Sequence, residues 1–189
     1  MKKTLWTGVV TIAIALMGIA PQAVAEAGDS ISFNLQLASG VTCVASAAHA
    51  RVTVSDLGPV QNMHIEVTGL TPNTSFTTFI TQHGNRPFGF SWYQGELQTN
   101  TRGNGVADYT GIFSSETFLL TDSNTPVQLD HIGIWFADPN DAARAGCAAI
   151  VTPFDGDHNA GILVFSSANF ADDQGPLLQL REDEPATRQ

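Results

Sequence analysis

Apolar and polar residues alternate with period two along most of this chain, the mark of strands that bury one face. Ile31, Phe33, Leu35 and Leu37 alternate with Ser32, Asn34 and Gln36. Val52 and Val54 repeat the pattern, and Met63, Ile65 and Val67 alternate with His64, Glu66 and Thr68. Residues 75–82, 90–99, 106–113, 127–136 and 161–167 read as further strands, bringing the set to about eight or nine. Residues 100–105 form a turn cluster ending in Asn104-Gly105, a hairpin signal between two of them.

Short clusters of Gly, Pro, Asn and Asp separate these strands, which predicts an all-β, antiparallel β-sandwich with Greek-key connections of the immunoglobulin or fibronectin kind. One short helix is expected within 138–149. Asp138 would cap it, Pro139 would take the first helical position, and a run of alanines would favour it until Gly146.

The first 25 residues follow another rule. Lys2 and Lys3 precede an almost uncharged apolar run, Pro21 breaks it, and Ala23-Val24-Ala25 supplies the small residues of a cleavage site. This is the pattern of a secretory signal peptide at 1–25, with no membrane span expected in the mature protein. Residues 26–180 then form one sandwich domain, and the acidic 181–189 reads as a disordered tail. The expected location is extracellular or periplasmic.

Removing the signal peptide removes both lysines. Six arginines face 18 carboxylates, a formal charge of 6 − 18 = −12 for the mature chain. A field of that sign repels phosphate backbones and anionic lipid, so nucleic-acid binding is not expected. Cys43 and Cys147 are the two cysteines, and an oxidising compartment favours their pairing.

The stretch Gly69-Leu70-Thr71-Pro72-Asn73-Thr74-Ser75-Phe76 resembles the corner between two strands of fibronectin type III domains. There the pattern is G-L-x-P-x-T-x-Tyr, and the Tyr hydroxyl bonds back to the corner. Phe76 stands at the Tyr position here. The resemblance covers eight residues and implies a sandwich without a specific activity. The whole layout also resembles secreted bacterial β-sandwich proteins to which no activity is assigned.

Three groups carry candidate chemistry. Phe88, Phe90 and Trp92 have period two, so on a strand they would share one face, with Tyr93 on the other. Such a row fills a sandwich interior or, if exposed, stacks on sugar rings or a partner's apolar groups; the interior is the expected reading. Asp155, Asp157 and Asn159 open like a calcium loop, with oxygen donors on alternate residues. The match then fails, with Ala160 at position six and Ser166 at position twelve, and an Asp-Gly turn without an ion is the expected reading. No cofactor is the expected reading; calcium at this loop is the alternative, with copper or zinc on the histidines a weaker one. The five histidines show no H-x-H or H-x-x-x-H spacing; His64 and His131 lie on predicted strands, and a meeting of the two across a sheet is the alternative to ordinary hydrogen-bonded histidines.

No nucleophile motif is complete. Gly89-Phe90-Ser91-Trp92-Tyr93 lacks the second glycine of a nucleophile elbow. A glycosidase-like carboxylate pair would draw on Glu96 and Glu116, with Asp108 or Asp130 equally eligible. The expected function is thus a secreted, non-catalytic module that binds a cell-surface, matrix or carbohydrate partner. A hydrolase and a divalent-cation-dependent module are the alternatives.

Overall fold

The computed structural model describes residues 30–153 and 159–180. The signal-peptide and tail segments read from the sequence, and Asp155 and Asp157, lie outside the described residues. Among the described residues the fold is all-β and antiparallel with one α-helix. In chain order the strands are β1 (Ser30–Leu37), β2 (His49–Asp56), β3 (Gln61–Thr68), β4 (Ser75–Thr81), β5 (Ser91–Gln98) and β6 (Gly105–Gly111). There follow β7 (Phe118–Leu120), β8 (Pro126–Gln128), β9 (His131–Phe136), β10 (Thr152–Pro153), β11 (Asn159–Ala160) and β12 (Leu163–Ser166). The helix α1 (Pro139–Arg144) sits between β9 and β10, and a 3-10 turn spans Pro176–Gln179.

Eight strands run in the order β5-β4-β9-β12-β1-β2-β3-β6. β1 belongs to both layers of the sandwich. Residues 30–35 pair with β2, and its last residues, Gln36 and Leu37, pair with β12. One layer is therefore β1-β2-β3-β6 and the other β1-β12-β9-β4-β5. The two ends meet where the β5–β6 hairpin turns, through the Thr99–Gly105 bridge, and the sheet nearly closes into a barrel. Gly103 permits this turn. Its φ is +74°, and an added Cβ would lie 2.1 Å from the Leu70 carbonyl oxygen.

Inward residues of the two layers form one core. Val52, Val54, Met63, Ile65 and Val67 meet Phe76, Ile80, Ile132, Ile134, Phe136 and Val164. Phe76, near the start of β4, packs on Phe136 with ring centroids 4.7 Å apart. Cys43 and Cys147 form a disulfide, with Cα atoms 5.0 Å apart across 104 positions. It ties the loop after β1 to the end of α1, whose N-cap is Asp138 accepting from the Asn140 amide at 2.8 Å. Among the described residues no helix is long and apolar enough to cross a membrane.

The predicted 127–136 strand is divided. Pro126–Gln128 pairs with β7, Leu129 and Asp130 turn inward, and β9 then begins at His131.

Candidate functional site

The layer β5-β4-β9-β12 is covered on its outer face as well. β4 and β9 are buried on both sides, so Thr77, Phe79, His131 and Trp135 are shielded although they point away from the main core. Phe79, Trp135 and Ala160 form a second apolar cluster, with Phe88 and Leu163 against it. Its rings meet edge to face: Phe88 to Trp135 at 5.2 Å, Trp135 to Phe79 at 5.5 Å, and Phe79 to Tyr93 at 5.9 Å. Such contacts add to area burial by roughly 0.5–1.5 kcal/mol per pair.

The aromatic row of the sequence is thereby broken up. β5 begins only at Ser91, and Gly89, at φ +68°, interrupts the extended backbone after Phe88. Phe88 joins the outer cluster, Trp92 packs against the main core, and Phe90 remains 45% exposed. Phe88, Phe90 and Trp92 therefore do not form one common stripe. Tyr93, facing the other way as expected, is 43% exposed.

Beside Tyr93 lies a polar cleft of about 290 Å³, lined by Thr77, Glu96, Asp138 and Asn159 among others. Thr77 and Glu96 are cross-strand partners on β4 and β5, which places both side chains on the outer face. Asp138 arrives from the corner that follows β9, where the Ala137 amide donates to the Ser75 carbonyl at 3.1 Å. Asn159 arrives on β11, next to Ala160 of the outer cluster. Glu96 is already held in place: Ser75 Oγ donates to Oε2 at 2.6 Å and the Tyr93 hydroxyl to Oε1 at 3.2 Å. Burial and then the Glu96 charge push the Tyr93 phenol above its ordinary value.

A larger cleft of about 560 Å³ opens at the other end of the cover, lined by Arg86, Phe88, Leu37, Ile150 and Leu163 among others. The Arg86 guanidinium lies 5.7 Å from the Phe88 ring centroid and donates to Thr152 Oγ1 at 3.4 Å.

The remaining candidates separate in space. His64, on the outer face of β3, is paired with Asp108 at 2.8 Å. His131 is buried in the opposite layer, so the two histidines do not meet. Among the described residues no three His, Cys, Asp or Glu side chains gather into a metal-binding group. Glu116 lies in the turn before β7, and the carboxylate that shares a cleft with Glu96 is Asp138.

Sequence reasoning missed one cluster, Asp130-His131-Ser167. His131 Nε2–H donates to the Ala171 carbonyl at 3.1 Å, so Nδ1 accepts the Ser167 hydroxyl at 2.8 Å. Ser167 Oγ in turn accepts the Ile132 amide at 3.1 Å. The residue types are those of a hydrolytic triad, yet Ser167 and His131 are fully buried and their polar atoms are committed to neighbours. They fasten the C-terminal segment to β9. Asp130 accepts the Gly175 amide at 2.9 Å, and burial raises its carboxyl above the ordinary range against the opposing pull of that bond and of His131. Nothing in the order of these residues along the chain announces the contact, because Ser167 is brought in by the β9–β12 pairing.

No family model matches the chain, and a comparison with curated proteins gives no match.

Proposed function

We propose that the protein is an exported, non-catalytic module that binds carbohydrate on the outer face of β5. The observation that carries this reading is the exposed Tyr93 ring with its hydroxyl on the Glu96 carboxylate, at the edge of a polar cleft. A sugar needs an apolar ring for its C–H face and carboxylate or amide groups for its hydroxyls. Tyr93 supplies the first, and Glu96, Asp138 and Asn159 the second. Two features support export: the signal-peptide pattern of residues 1–25 and the Cys43–Cys147 disulfide.

The test is retention on insoluble polysaccharides and on isolated cell-wall material. Tyr93→Ala should abolish retention while shifting the melting temperature by no more than a surface substitution does. Retention equal to that of the parent protein would refute the reading. Release of reducing sugar from the retained material would instead make Glu96 and Asp138 an acid–base pair and move the protein to the hydrolases.

A further inference from the structure

The polar cleft has a second property that sugar binding does not require. Thr77 is 3% exposed, lines the cleft, and its Oγ1 has no hydrogen-bond partner. A buried hydroxyl without a protein partner costs roughly 1–3 kcal/mol unless a water, an ion or a ligand meets it. What surrounds it is oxygen-rich and anionic. Glu96 and Asp138 bring two carboxylates and Asn159 an amide carbonyl, and among the described residues no cationic side chain lines the cleft. This donor set attracts a cation and repels an anion.

We propose that this cleft is a calcium site, with Glu96, Asp138, Asn159 and Thr77 as its oxygen ligands. Carboxylate, amide and hydroxyl oxygens form a hard donor set, and an irregular cleft suits calcium better than the strict octahedron of magnesium. The four donors come from four separate segments: β5, the corner before α1, β11 and β4. An ion there would clamp the β10–β11 cover and the start of α1 onto the sheet. Glu96 is oriented by Ser75, and the capping bonds of Asp138 use Oδ1 alone.

The site differs from the loop the sequence suggested, since Asn159 is the one residue they share. Ion binding is measured without any sugar, so it can fail or succeed independently of the carbohydrate reading.

The experiment is calorimetric titration of the chelator-treated full-length mature protein with calcium chloride, alongside terbium luminescence excited through the tyrosines. One equivalent should bind with Kd of roughly 10⁻⁴–10⁻³ M, the range of extracellular modules. Terbium should emit strongly because Tyr93 touches a ligating carboxylate. Glu96→Gln should weaken binding by about tenfold or more through the lost ligand charge. Asp138→Asn should do the same while leaving α1 capped, because Asn serves at that position. Thr77→Val, which keeps the shape and deletes the hydroxyl, should weaken it by a smaller factor. Melting in chelator verifies that each variant is folded, and at least two of the three must be for the comparison. Absence of binding by the parent protein overturns the proposal. Binding that survives Glu96→Gln and Asp138→Asn but is lost in the Asp155→Asn/Asp157→Asn double variant also overturns it, and gives the ion to the loop.

Discussion

The Tyr109 hydroxyl, on the last strand at one end of the sheet, donates to the Glu96 carbonyl at the other end, at 3.0 Å. It also lies 3.3 Å from Thr78 Oγ1. β5 and β6 share only a short stretch of pairing near their turn, so this phenol helps to hold the nearly closed sheet together. Gly95 makes room for it, since a Cβ there would lie 2.5 Å from the Tyr109 ring. Tyr109→Phe should therefore destabilise by about 1 kcal/mol, the net contribution of a hydrogen bond of this kind, with the ring's packing retained. Chemical denaturation of the two proteins measures it, and equal midpoints would mean that the hydroxyl does not contribute to closure.

Tyr93 and Tyr109 are the only two tyrosines. Burial is the main cause that raises both phenols above 10.0, with the Glu96 charge adding to it, while the Thr78 contact pulls Tyr109 partly back. A group whose pKa is higher in the folded state stabilises fully below its unfolded value and loses that contribution as pH climbs through the folded one. Absorbance titration near 295 nm should show less tyrosinate in the folded protein at pH 10 than in the unfolded chain, since a free phenol is about half ionised there. Stability should fall with further alkali. Glu96→Gln should bring the Tyr93 transition down.

Asp130 behaves as a buried acid. Its carboxyl titrates above 3.8 in the fold, mainly through desolvation, so the native state favours the protonated form. The resulting stabilisation is complete below the unfolded value and disappears as pH rises through the higher folded one. Asp130→Asn keeps an acceptor for the Gly175 amide and removes the charge. Its stability relative to the parent should be highest at neutral pH and should drop toward low pH, where the parent's own carboxyl is neutral. Parallel stability profiles for the two proteins would show that Asp130 does not titrate with folding.

The strands that are polar on one face were legible. Ile31, Phe33 and Leu35 alternate with Ser32 and Asn34, and β1 pairs there with Val54, Val52 and Ala50 opposite the apolar positions. β9 gave a weaker signal because a second cover buries both of its faces, including Gly133 and Trp135. Nothing local tells which strand of a sandwich acquires that cover. The cleft residues were equally hidden: Thr77, Glu96, Asp138 and Asn159 are spread over the chain, and only the β4–β5 register and the β10–β11 hairpin bring them together. The hairpin at 100–105, the Asp138 cap and the cysteine pair were readable because each depends on local chemistry or on compartment.

The disulfide closes a long loop, and its removal is a direct measure of how far it limits the unfolded chain. Across about 100 residues the chain-entropy model gives roughly 3–5 kcal/mol. Cys43→Ser with Cys147→Ser should then lower the melting temperature by roughly 10 °C for a domain of this size. Oxidised protein should also show no thiol to an alkylating reagent without reductant. A double variant that melts with the parent would mean that the link constrains segments already held by other contacts.

Trp92 and Phe90 separate interior from surface on the same short stretch of chain. Trp92 is half-buried, rests against the main core, and donates its indole N–H to Gln94 Oε1 at 3.3 Å. Phe90, two residues earlier, keeps nearly half its surface in solvent. Truncating a fully buried Trp costs about 3–5 kcal/mol, so the partial burial of Trp92 puts Trp92→Ala near 2–3 kcal/mol. Phe90→Ala should cost less than 1 kcal/mol, because little of its ring is removed from water and no cavity closes over the site. Thermal melts of the two variants against the parent decide the matter. If Phe90→Ala proved the more damaging, the chain before β5 would be packed more tightly than its exposure indicates, and Trp92 would be the freer of the two rings.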